Sequence, residues 1–67
     1  MKKLISIVIP FYNEEENIKE VHKQLSEIFN QEKKYNFEII AVEHGSTDKT
    51  FEKLINLRKK DIRVKIW

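Results

Sequence analysis

Leu4-Ile5-Ser6-Ile7-Val8-Ile9-Pro10-Phe11-Tyr12-Asn13-Glu14-Glu15-Glu16 is the stretch on which the fold of this 67-residue chain turns: a run of stiff apolar side chains breaks at a proline into a polar, acidic turn. Ile and Val are restricted at χ1 and sit well on a pleated surface, so the run reads as a buried strand. Pro10 cannot donate to a ladder and is expected to mark where strand pairing stops. Asn13 and Glu16 have the spacing of a capping box, in which Asn13 accepts a backbone N–H of the first turn and Glu16 reaches back. A helix is therefore expected to begin there.

Downstream, Ile18, Val21, His22, Leu25, Ile28 and Phe29 recur at the spacing of one helix face, with Lys, Glu and Gln filling the others. This predicts an amphipathic helix from about Glu14 to about Gln31, with Glu14, Glu15 and Glu16 complementing its positive end and Lys33 and Lys34 following its last turn. Asn36-Phe37-Glu38-Ile39-Ile40-Ala41-Val42 is too short for a helix and rich in β formers; Glu43-His44-Gly45-Ser46-Thr47-Asp48 closes it as a turn. Phe51, Leu54, Ile55 and the stem of Arg58 then predict a second helix, N-capped by Ser46 or Thr47. Arg63-Val64-Lys65-Ile66-Trp67 alternates as a third strand would.

Strand, helix, strand, helix, strand implies an α/β architecture with parallel pairing through right-handed crossovers. If the strands lie in sequence order, both helices cover one face and leave the other bare. Ile5, Ile7 and Ile9 point to one side of the first strand and Leu4 and Val8 to the other, so both faces call for burial. One edge of that strand also has no partner in this chain. The expectation is a β-α-β-α-β half of a larger domain spanning residues 1–67, completed by the missing remainder or by a second copy.

Composition narrows the function classes. Thirteen basic against eleven acidic residues, interspersed on helix faces, describe a solvated surface and not a nucleic-acid footprint. Without cysteine there is no disulfide framework. Ser6 and Pro10 interrupt the apolar run behind Lys2-Lys3, unlike a signal peptide, and no run approaches the ~18 residues that span a bilayer. A cytoplasmic setting is expected.

In an open parallel sheet, ligands bind beyond the carboxyl ends of the strands, beside helix N-termini. Pro10-Phe11-Tyr12-Asn13-Glu14 and Glu43-His44-Gly45-Ser46-Thr47-Asp48 both occupy such positions and are expected to be neighbours. They combine an aromatic face, several carboxylates, an imidazole and a glycine that permits close backbone approach, which suits a base and ribose better than a bare phosphate. Neither is a Gly-x-Gly-x-x-Gly or Walker loop; the chain has a single glycine. Other roles compete: Tyr12 could simply cover the strand end, and Glu14 could serve only the helix dipole. Glu15, Glu16 and Asp48 read as helix-start or turn residues, His22 as a packing residue on the apolar border, and His44 as a base reader, a metal ligand or an idle turn residue. Trp67 could cap a strand or anchor a partner.

Ile7-Val8-Ile9-Pro10-Phe11-Tyr12-Asn13-Glu14-Glu15-Glu16-Asn17-Ile18, followed by Glu38-Ile39-Ile40-Ala41-Val42 and Gly45-Ser46-Thr47-Asp48-Lys49-Thr50, resembles the opening of family 2 inverting glycosyltransferases, especially polyprenyl-phosphate sugar transferases of the dolichol-phosphate mannose synthase type. The resemblance covers essentially the whole chain. It implies a GT-A (Rossmann-like) nucleotide-binding fold, a UDP- or GDP-linked sugar donor, Mg or Mn in the full-length family, and a membrane reached only through a lipid-linked acceptor. Pro10, Tyr12 and Glu14 match positions that line the nucleoside pocket, and Gly45 and Ser46 the turn beside it. The nucleotide-binding set is thus Pro10, Phe11, Tyr12, Glu14, Glu43, His44, Gly45 and Ser46. The family usually carries paired aspartates where this chain has Glu43-His44. A carboxylate there accepts the N3–H of uracil, a neutral imidazole offers one acceptor nitrogen and a protonated one none, so binding through His44 is expected to be weaker, pH-dependent or differently specific. The family's Asp-x-Asp, catalytic base and acceptor-binding half have no counterpart in these residues, so no catalytic or metal residue is assigned. The chain alone is expected to be inactive. A non-catalytic, self-associating remnant is the alternative.

Overall fold

The computed structural model describes residues 2–67 and contains β1 (Lys3–Phe11), α1 (Ile18–Gln31), β2 (Tyr35–Glu43), α2 (Thr50–Lys60) and β3 (Val64–Ile66). The sheet has the order β1-β2-β3 with both pairings parallel. The expected β-α-β-α-β arrangement is therefore the observed one.

Both helices lie on one face. Phe11, Ala41, Ile18 and Leu54 form one buried cluster, and Ile39, Val64 and Phe29 a second beside it. Ile7, Ile9, Phe37 and Ile66 extend these clusters along the same side of each strand, as the two-residue period of a strand requires. Near the amino ends, the Phe29 ring stacks on Phe37 with centroids 4.4 Å apart, and the Arg63 guanidinium lies over Phe29 at 5.1 Å. The opposite face is open: Leu4 is 58% and Val8 62% exposed. β1 is an edge strand and its outer edge is unpaired among the described residues.

Several local expectations need correction. Pairing does not stop at Pro10: the register runs on through Pro10↔Val42 and Phe11↔Glu43. An edge strand accommodates proline because the missing N–H can face the side that has no partner. α1 starts at Ile18, not Glu14, and the predicted capping box is absent. Residues 14–17 form a turn instead, closed by the Asn17 N–H on the Glu14 carbonyl at 2.9 Å, and of the acidic residues only Glu20 sits in the helix's first turn. Ile28 is exposed, outside the buried stripe. In α2 the inward stripe is Thr50, Leu54 and Leu57, at i, i+4 and i+7, while Phe51 and Arg58 face outward. Neither Ser46 nor Thr47 caps α2; Lys49 holds the cap position and the Asp48 carboxylate accepts the Thr50 N–H at 2.9 Å.

Candidate functional site

The parallel register brings the carboxyl ends of β1 and β2 side by side, and the two loops leaving them are hydrogen-bonded along their length. The His44 N–H donates to the Phe11 carbonyl at 3.2 Å, continuing the ladder past the strand ends. Next, the Asn13 N–H donates to Ser46 Oγ at 3.0 Å, and Asn13 Oδ1 accepts the Thr47 N–H at 2.8 Å and its hydroxyl at 3.3 Å. Further in, the Glu14 N–H donates to Thr50 Oγ1 at 2.9 Å and the Glu15 N–H to Asp48 Oδ2 at 3.4 Å. Lys53 Nζ donates to the Glu15 carbonyl at 3.1 Å. The two loops form one continuous wall.

Glu43 shapes its own turn. Its two carboxylate oxygens accept the N–H groups of Gly45 (3.0 Å) and Ser46 (2.5 Å), while Gly45 adopts a left-handed φ of 72°. The Ser46 hydroxyl, then the Ser46 and Gly45 N–H groups, hold the Glu43 carboxyl below its ordinary range. Burial works against the charged form of Asp48, but the Thr50 hydroxyl and the N–H groups of Thr50 and Glu15 outweigh it and lower that carboxyl too. Two ionised carboxylates thus brace the second loop at neutral pH.

The eight expected residues divide by what their side chains are doing. Phe11 is 3% exposed and belongs to the core, so it gives the site its carbonyl and not its ring. Glu43 and Ser46 are engaged within the wall. Pro10 and Gly45 are exposed, and a Cβ added to Gly45 would meet nothing within 4 Å. Tyr12 is 55% exposed, His44 is exposed, and Glu14 is half-buried; among the described residues none of these three side chains has a hydrogen-bond partner. The wall therefore carries an aromatic ring, an imidazole and a carboxylate that no other described side chain engages. That set can stack on a planar ring and bond its polar edge.

Sequence reasoning missed the residues that join the loops. The spacing of Asn13 fits a helix cap, yet its oxygen reaches the other loop; Thr50, fully buried, has no local pattern that marks it. A second polar cluster joins α1 to the end of α2. His22 Nε2 lies 2.8 Å from Asp61 Oδ2, and Arg63 Nη2 lies 2.8 Å from the same oxygen. The Arg63 side chain first, helped by His22, holds Asp61 far below the usual carboxylate range, and Asp61 in return raises Arg63. Ser26 Oγ also approaches His22, but at Nε2, 3.4 Å away. Nucleophile and orienting acid thus meet the same ring nitrogen, whereas nucleophilic catalysis needs them on opposite ones. This cluster is a brace.

No three His, Asp or Glu side chains gather among the described residues in a way that could hold a metal ion, so these residues offer no ligand set for Mg or Mn. No helix among them is long and apolar enough to cross a membrane.

A family model described as Glycosyl transferase family 2 matches residues 6–67. Among curated proteins, an uncharacterized glycosyltransferase of Synechocystis sp. is 42% identical over 62 residues, covering 92% of this chain and 19% of the relative. A dolichol-phosphate mannosyltransferase of Pyrococcus furiosus is 41% identical over 56 residues, 84% of this chain and 15% of that protein. A dolichyl N-acetyl-alpha-D-glucosaminyl phosphate 3-beta-D-2,3-diacetamido-2,3-dideoxy-beta-D-glucuronosyltransferase of Methanococcus voltae is 46% identical over 57 residues, 84% of this chain and 17% of that protein. The chain thus spans less than a fifth of the length of these relatives.

Proposed function

The chain belongs to glycosyl transferase family 2, and from that premise we propose that it forms the nucleoside-binding wall of a nucleotide-sugar donor site. The observation that carries the reading is the joining of the two motif loops into one wall at the carboxyl ends of β1 and β2, with Tyr12, Glu14 and His44 left unengaged on it. Tyr12 would stack on the base or ribose, Glu14 would accept a ribose hydroxyl, and His44 would meet the base edge. Gly45 would let the ligand approach the backbone closely, and Pro10 would line the wall at the end of β1. Sugar transfer itself would depend on groups outside these residues, with a polyprenyl phosphate as the acceptor, in keeping with the dolichol-phosphate specificity in the name of the Pyrococcus relative.

Titration with UDP, GDP and their sugars, followed by amide shifts of residues 12–14 and 44–46, tests the reading. Saturable shifts confined to these two loops are expected, and tighter binding in His44→Asp. No saturable binding of any nucleotide, and no gain on restoring aspartate, would overturn it.

A second reading has its own observation: the open sheet face bearing Leu4 and Val8 beside the unpaired β1 edge favours self-association through that surface. Sedimentation over a concentration series tests it. A monomer at all concentrations removes it.

A further inference from the structure

We propose that Asn13 is the positioning residue of this site, a clasp that sets the loop carrying Tyr12 against the loop carrying His44. The proposal rests on the nucleoside-wall reading above. Asn13 has φ 49°, the left-handed conformation that non-glycine residues seldom take and that asparagine tolerates. That backbone turn lets one residue address the opposite loop twice. Its N–H reaches Ser46 Oγ while Oδ1 takes both the Thr47 N–H and the Thr47 hydroxyl, which fills the two lone pairs of an amide oxygen. Ser46 is itself fixed by Glu43, so the clasp extends from the end of β2, through Ser46 and Asn13, to Thr47.

Where these bonds lie decides what they do. All three are exposed to water, which competes for each group, so their net effect on folding is small. The roots of both loops are held elsewhere, by buried Phe11 and by buried Thr50 beneath Glu14. Asn13 is therefore poorly placed to stabilise the fold and well placed to hold Tyr12 and His44 in register before a ligand arrives. Holding two side chains in their bound geometry avoids part of the ordering cost of association, and a loss of this order is roughly tenfold in affinity, about 1.4 kcal/mol.

Two substitutions separate backbone from side chain. Asn13→Gly keeps the left-handed turn and the N–H to Ser46 but removes Oδ1, whereas Asn13→Asp keeps an acceptor oxygen at the same place. Hydrogen exchange of the Thr47 amide in the ligand-free chain reads the clasp by itself. Protection is expected in the unsubstituted chain and in Asn13→Asp, and its loss in Asn13→Gly. A Thr47 amide that exchanges at the unfolded rate in the unsubstituted chain overturns the clasp, whether or not nucleotides bind. Titration with UDP and GDP reads the positioning role: Asn13→Gly should bind about tenfold more weakly with its melting temperature nearly unchanged. Equal affinity in the glycine variant, or an affinity loss matched by a large fall in melting temperature, overturns positioning in favour of no role or a purely structural one. If the unsubstituted chain binds neither nucleotide, the wall reading fails and the positioning role with it, while the Thr47 result still reports the loop geometry.

Discussion

The Thr50 side chain, wholly buried, accepts the backbone N–H of Glu14 at 2.9 Å and donates its own hydroxyl proton to Asp48 Oδ1. A single threonine at the start of α2 thereby fixes the exit of β1, thirty-six positions earlier, and turns the Asp48 carboxylate back toward the helix it precedes. Among the described residues, the buried polar side chain thus lies under the two loops.

Thr50→Val keeps the shape and removes the hydroxyl. The Glu14 N–H and Asp48 then lose a partner in a part-buried setting, which costs about 1–3 kcal/mol. For a domain of this size that lowers the melting temperature by about 4–8 °C per kcal/mol. Thermal melts followed by circular dichroism should show this fall, and Thr50→Ser should recover most of it.

The architecture was legible because periodicity is a property of many residues at once. Ile7, Ile9, Ile39 and Ala41 alternate as a strand demands, Ile18, Leu25 and Phe29 recur as a helix demands, and the order of elements leaves few ways to connect them. The loops were legible only in position. Asn13 offers the same atoms to a helix cap and to a facing loop, and local sequence cannot say which donor will be nearer; the Thr47 N–H is brought there by the β1–β2 register. Thr50 and Asp61 are hidden for the same reason, since their partners Glu14 and His22 are 36 and 39 residues away. Ile28 shows the converse, a residue whose spacing fits the apolar face but which lies at its margin and stays exposed, while Phe29 beside it is buried.

Asp61 predicts a pH dependence with a definite sign. Its folded pKa lies below the ordinary value of 3.8, so the folded chain resists protonation more than the unfolded one does. The stability from its bonds to Arg63 and His22 is then complete above about pH 4 and is lost as the pH falls through the folded pKa. Glu43 and Asp48, also lowered, act in the same direction. Asp61→Asn should cost about 1–3 kcal/mol at pH 7, and the gap from the unsubstituted chain should narrow as pH falls below 4. Urea titrations at a series of pH values check both the gap and its closing.

Gly45 separates strain from crowding. Its φ of 72° disfavours any L side chain, yet the space where a Cβ would stand is open. Gly45→Ala should therefore cost only the backbone term, about 1–2 kcal/mol, and Gly45→Asn less, because asparagine tolerates the left-handed region. Equal losses in the two variants would mean that the turn responds to bulk and not to φ. Chemical denaturation of both variants side by side decides it.

The one-sided core predicts that apolar residues on its two faces will respond very differently to substitution. Leu54 is 1% exposed and meets Phe11, Ile18 and Ala41 in the inner cluster, so Leu54→Ala removes buried methyl groups and leaves a cavity, at a cost of about 2–5 kcal/mol. A domain of this length buries only about 60% of its unfolded surface and has little stability to spare. The alanine variant should be largely unfolded at room temperature. Val8 stands on the open face, where a polar side chain of the same branching replaces one that water already reaches, so Val8→Thr should stay within about 0.5 kcal/mol. Urea titration at low protein concentration measures both. A large loss in Val8→Thr that grows with protein concentration would instead mean that a second copy covers this face, because only a bimolecular contact makes the loss depend on concentration.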